Sequence, residues 1–234
     1  VARSVPGELI SGHGYVFVPD VRFFWHGPQA ARGVYVWSHG KGDKDARGMQ
    51  PQSHVRWFNN AGFDVVRFDR ELAWDDKDRA AGWLRDGLAR LRASGYRMVI
   101  AGGQSRGAWN SLQTLDTPGL ADVVIAVSPA AHGTDSGSLI LRQGPQLWTM
   151  LQDAKPAPTR VAFVQFLKDP YADDEGERMD KFRSLLAPKI GAFLAIDRPD
   201  GFEGHGAGAS VSFNLSFGKC LMHFALDPGP PKSC

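Results

Sequence analysis

The residues best suited to chemistry are Gly103-Gln104-Ser105-Arg106-Gly107, which follow the apolar run Met98-Val99-Ile100-Ala101 and open a helical stretch. A Gly-x-Ser-x-Gly at a strand-to-helix junction makes a tight turn. Its glycines let the chain double back, and the serine hydroxyl is held outward. The helix N-terminus adds unpaired N–H groups and the positive end of its dipole, so the Arg106 N–H is placed to receive a developing oxyanion. Serine is a weak nucleophile at neutral pH and needs a base, and the base needs a group to orient it. His205 lies in the glycine-rich loop Gly201-Phe202-Glu203-Gly204-His205-Gly206-Ala207-Gly208, after the last expected strand and before the last helix. His223 falls in a helical apolar run, where packing or exposure at the surface explains it, and His132 follows an earlier strand. For the orienting acid, Asp169 stands at a strand end in Lys168-Asp169-Pro170, where Pro170 stiffens the turn. Asp173 and Asp174 compete for that role, as helix caps or solvated charges in the simpler view.

A second oxyanion donor is expected from Ser38-His39-Gly40-Lys41-Gly42, where glycines let backbone N–H groups approach a substrate oxygen. Lys41 is the first choice and Gly42 the second. His39 precedes the serine, and its expected task is to fix this loop by side-chain hydrogen bonds.

These residues need a scaffold that brings them to one rim. Short apolar runs at 33–38, 64–68, 97–101, 123–127, 160–167 and 192–196 read as strands. Helical patterns separate them at 52–61, 79–93, from 106, 146–154, 175–186 and 212–225. Ahead of them, 9–19 and 22–26 read as a leading antiparallel pair. Strands alternating with helices predict an α/β fold with a mostly parallel sheet covered on both faces. In such sheets ligands bind beyond the carboxyl ends of the strands, where every candidate above falls. With 234 residues the chain is expected to be one domain over residues 1–234, and only residues 133–144 offer themselves as a small cap.

Taken together, His39-Gly40 after the third strand, the Ser105 pentapeptide after the fifth, Asp169-Pro170 after the seventh and His205 after the eighth resemble the α/β-hydrolase superfamily. The compact plan and the Lys168-Asp169-Pro170 segment are most similar to dienelactone-hydrolase-like and small esterase members. Dienelactone hydrolases proper carry cysteine where this chain has Ser105, so esterase chemistry is the better expectation. The resemblance implies a Ser105–His205–Asp169 triad acting through an acyl-enzyme on a small-molecule or polymer-linked ester, with no cofactor. Thioesters, acyl transfer and peptide bonds fit the same constellation, and a silent binding scaffold is the reading from outside enzymes. Trp37, Trp74, Trp109, Tyr171 and Phe202 fall in or beside rim loops, so Trp37, Trp109, Tyr171 and Phe202 are candidates for a substrate wall. Core packing is the simpler account of Trp37 and Trp109.

Composition narrows the partners. A formal net charge of +2, with acidic and basic residues interspersed, argues against a nucleic-acid surface. No apolar run reaches the ~18 residues of a membrane-spanning helix. Both cysteines, Cys220 and Cys234, lie near the end, where 227–231 could turn the tail back towards the preceding helix. A disulfide between them would be useful in an oxidising compartment, periplasmic or extracellular, whereas two free thiols would fit the cytoplasm. The chain begins at Val1, as after removal of a signal peptide or tag. Oligomeric state is not legible.

Overall fold

Alternation within the strands divides the molecule into two apolar layers. In β3 (Gly33–Ser38), Val34 and Val36 point to one face while Tyr35 and Trp37 point to the other. The computed structural model describes residues 5–41, 45–133, 142–172, 177–227, 229 and 234. The other strands are β1 (Ile10–Gly12), β2 (Tyr15–Pro19), β4 (Phe63–Arg70), β5 (Val99–Gln104), β6 (Val123–Val127), β7 (Arg160–Gln165) and β8 (Ala192–Asp197). They form one eight-stranded sheet in the order β1-β2-β4-β3-β5-β6-β7-β8. β3 to β8 run parallel, and β1 and β2 join as an antiparallel edge through β2 and β4.

The leading pair differs from the sequence expectation. Its turn lies inside residues 9–19, at His13-Gly14, where Gly14 has a φ of +86° that suits glycine. Residues 22–26 form no strand. Asn59 captures both polar groups of the Phe24 backbone, and Asp64 accepts from the His26 and Gly27 N–H groups, so this segment's hydrogen bonds go to side chains.

α1 (Val55–Asn60) and the C-terminal run cover the face that includes Tyr35, Trp37, Ile100 and Ile125. That run consists of α6 (Val211–Phe213), a π-helical turn (Asn214–Gly218) and α7 (Lys219–Leu226). On the other face, α2 (Lys77–Ala93), α3 (Arg106–Gln113), α4 (Gln143–Asp153) and α5 (Arg178–Leu186) contribute Leu84, Leu88, Trp109, Leu147 and Phe182. α2 begins two residues earlier than its apolar pattern because the Asp76 side chain caps it, accepting from the Asp78 and Arg79 N–H groups. Cys220 and Cys234 form a disulfide that ties the chain end to α7. Among the described residues no helix is long and apolar enough to cross a membrane. Of the residues considered for a cap, 134–141 lie outside the described set, as do Gly42, Asp173 and Asp174.

Candidate active site

Ser105 sits between β5 and α3 with φ 56° and ψ −120°, a left-handed backbone that non-glycine residues rarely adopt. The strained turn is locked on both sides. Its N–H donates to Val127 O at 3.0 Å, and its carbonyl accepts from Trp109 and Ala130 at 3.0 and 3.2 Å. The flanking glycines are required by close approach: a Cβ on Gly107 would lie 2.0 Å from Ser38 O, and one on Gly103 2.5 Å from the same atom. The elbow therefore packs directly on the end of β3. Arg106 is the first residue of α3, so its N–H is one of the first-turn donors that no intrahelical carbonyl satisfies.

Asp169 and His205 are brought together from loops 36 residues apart. His205 Nδ1 lies 3.0 and 2.9 Å from the two Asp169 carboxylate oxygens. Asp169 is 5% exposed and also accepts the Tyr171 N–H at 2.9 Å, so its carboxylate is held from two sides. The loops share a register: Leu167 and Glu203, each two residues ahead of its functional partner, form a bridge, and Gly204 N–H donates to Leu167 O at 2.7 Å. β7 ends at Gln165, earlier than the sequence suggested, and this bridge continues the pairing towards Asp169. With Nδ1 donating to the carboxylate, Nε2 is left as the acceptor; it is buried and makes no hydrogen bond among the described residues, so the bond to Ser105 Oγ is not formed.

The Tyr171 ring covers the His205 imidazole, with centroids 4.3 Å apart. Gln143 and Arg178 hold the Tyr171 carbonyl from behind. Gln104 was not singled out from the sequence, yet it links two loops of the site. Its Nε2 donates to His205 O at 3.2 Å, and its Oε1 lies 2.8 Å from the place a Gly40 Cβ would take. The same Cβ would lie 3.2 Å from Ser105 Cβ, so the Gly40 loop borders the serine.

His39 is buried, and its Nε2 accepts the Arg70 N–H at 3.0 Å. Nδ1 therefore carries the proton and donates to Gly40 O at 2.7 Å. Desolvation, reinforced by the Arg70 charge, pushes the His39 pKa down to about 4, so the ring is neutral near pH 7.

Two expectations for the substrate wall are corrected. Trp37 and Trp109 are each 2% exposed and packed in opposite core layers, so almost none of either ring is open to a ligand. Phe202 packs edge-on against Phe213 and Phe217. Trp74 is partly exposed and packs its ring against His13. Of the aromatic candidates, Tyr171 is the one in ring contact with His205. A cavity of about 510 Å³ between α2, α3 and α4 is lined by residues including Lys77, Trp109, Gln113 and Gln146, and neither Ser105 nor His205 lines it. Among the described residues no group of three or more His, Cys, Asp or Glu side chains is disposed to hold a metal ion.

The eight-stranded, mostly parallel sheet, its strand order and the elbow after β5 are those of the α/β-hydrolase fold, and this chain has that fold. It is similar to the esterase Pf2001 of Pyrococcus furiosus, with 12% identity and a TM-score of 0.59 over 90% of this chain and 87% of that one. It is likewise similar to Est1E from Butyrivibrio proteoclasticus, with 12% identity and a TM-score of 0.63 over 94% and 99% of the two chains. A prolyl endopeptidase matches at 13% identity and a TM-score of 0.57, over 90% of this chain and 36% of the larger one. No protein-family model and no curated protein matches the chain by sequence.

Proposed function

We propose that the chain is a serine hydrolase that cleaves carboxylic esters, with Ser105 as nucleophile, His205 as base and Asp169 as the orienting acid. The observation that carries the reading is the Asp169–His205 contact beside a strained serine elbow, which leaves His205 Nε2 as a buried acceptor without a partner among the described residues. Ser105 Oγ attacks the ester carbonyl as His205 Nε2 takes its proton, and the carbonyl oxygen becomes an oxyanion held by the Arg106 and Lys41 N–H groups. Collapse of that intermediate expels the alkoxide, which recovers the proton from His205. Water then enters, gives its proton to Nε2 and attacks the acyl carbon, and the acid leaves as Ser105 is restored. Asp169 keeps the proton on Nδ1 and stabilises the imidazolium formed in each half.

The similarity to both esterases and a prolyl endopeptidase supports acyl transfer as the wider class, within which peptide and thioester cleavage are the competing readings. The disulfide supports an oxidising location, periplasmic or extracellular. Labelling with a fluorophosphonate, followed by peptide mass spectrometry, tests the reading: the adduct is expected on Ser105 and absent from Ser105→Ala. A folded protein that leaves Ser105 unlabelled refutes it. A panel of p-nitrophenyl esters, acyl thioesters and aminoacyl amides then separates the bond types, with esters expected to turn over fastest.

A further inference from the structure

Behind the Gly40 loop lies a buried cluster of charges that the sequence does not single out. Arg70, the last residue of β4, is 0% exposed. Its Nε donates to Asp75 Oδ1 at 3.0 Å, and its Nη2 donates to His39 O at 2.6 Å. Its own N–H donates to His39 Nε2, and His39 Nδ1–H donates to Gly40 O. Two consecutive carbonyls, those of His39 and Gly40, are thus drawn inward by one arginine, the first directly and the second through the imidazole. In a trans peptide the N–H points opposite to the C=O. Holding the Gly40 carbonyl on the His39 ring therefore turns the Lys41 N–H away from that ring, and this N–H makes no hydrogen bond among the described residues. The other expected donor is tied to the same cluster. The Arg106 side chain donates through Nη1 to the Asp75 carbonyl at 3.0 Å, with its Oδ1 at 3.4 Å, and through Nε to Ala131 O at 2.8 Å.

We propose that Arg70 is a positioning residue for the oxyanion site: through His39 it sets the Lys41 N–H, and through Asp75 it locks that loop to the start of α3, where the Arg106 N–H lies. This deepens the serine-hydrolase reading and rests on it. Charge-assisted hydrogen bonds in a buried setting are short and geometrically specific, so they hold the two donors in register. The neutral state of His39 keeps the link in one tautomer around neutral pH.

The test compares wild type, Arg70→Lys and Arg70→Met as full chains. Circular dichroism reports folding, and kcat and KM are measured on a p-nitrophenyl ester. Affinity is measured for a trifluoromethyl ketone and for the methyl ketone of the same skeleton. The trifluoromethyl ketone accepts Ser105 Oγ at its carbonyl carbon, the serine proton passes to His205, and the carbonyl oxygen becomes an oxyanion; the methyl ketone binds without this step. Misplacing a reacting group by about 1 Å costs on the order of 10²-fold in rate. Arg70→Met should lower kcat by about that factor with KM little changed, and weaken the trifluoromethyl ketone but not the methyl ketone by a similar factor. Arg70→Lys keeps the charge but lacks the planar fork that reaches both Asp75 and His39 O, so a roughly tenfold loss is expected. A folded variant with wild-type kcat overturns the inference, as does a fall in kcat that leaves trifluoromethyl-ketone affinity unchanged. Should Arg70→Met not fold, Arg70→Lys decides by the same two readouts. Fluorophosphonate labelling of wild-type Ser105 separates the two levels: with labelling, a null result at Arg70 overturns this inference alone, and without it the function reading falls and carries this inference with it.

Discussion

Acidification should destabilise this protein through two buried histidines. His39 and His54 are both lowered from 6.5 to about 4, His39 by desolvation and the Arg70 charge and His54 by desolvation. His54 Nε2 shares a hydrogen bond with the buried Tyr35 hydroxyl, so its ring is held neutral among apolar neighbours. A basic group whose folded pKa lies below its unfolded one favours the folded state fully above the unfolded pKa. That contribution is lost as pH falls from about 6.5 towards 4, because the unfolded chain takes up the proton first. With 1.36 kcal/mol per pKa unit, each histidine withdraws roughly 3 kcal/mol over the whole range and about 2 kcal/mol by pH 5. Against a typical total of about 5–15 kcal/mol, a combined loss of about 4 kcal/mol is large. Asp64, whose carboxyl is raised by burial, works in the opposite direction as it protonates. The assay is urea unfolding followed by tryptophan fluorescence from pH 7.5 to 5. The unfolding free energy should fall with a slope approaching uptake of two protons at the acidic end, and His54→Gln should remove one of them. A slope below half a proton, or one that His54→Gln leaves intact, would refute the assignment of these rings as neutral in the fold.

Asp169→Asn should lower the ester-hydrolysis rate by on the order of 10⁴ while circular dichroism stays that of wild type, since the amide would favour the wrong imidazole tautomer; a loss under tenfold would remove Asp169 from the triad. Gly107→Ala should prevent or severely weaken folding, because its Cβ would press on the Ser38 carbonyl backbone at 2.0 Å; a thermal melt equal to wild type would show that the elbow can back away from β3. Reducing the Cys220–Cys234 bridge, which spans 14 residues, should cost about 3 kcal/mol in the loop-entropy account. Equal urea midpoints with and without reductant would mean that the chain end is already held by packing.

Local pattern was enough for the parts of the molecule whose information is local. A strand is announced by a short apolar run and a helix by its period, so the six parallel strands, the five longer helices and the elbow around Ser105 were legible to within a few residues. That Asp169 and His205 would come together was legible because each follows a strand, and all such ends of a parallel sheet meet at one rim. Tertiary structure decided what depends on which distant side chains meet. Residues 22–26 look like a strand until Asn59 and Asp64 take their hydrogen bonds. Trp37 stands one residue before the end of β3 and Trp109 in the first turn of α3, yet the pleat of β3 and the inner face of α3 turn them into opposite cores. Arg70 and Asp75 lie in no motif and Gln104 fills a variable position of one, because a hydrogen bond made by a side chain to a distant residue leaves no period in the sequence. The meeting of Arg70 and Asp75 with His39 and Arg106 follows from the sheet order that sets β4 beside β3 and β3 beside β5, and that of Gln104 with His205 from the path of the loop after β8 back to the end of β5.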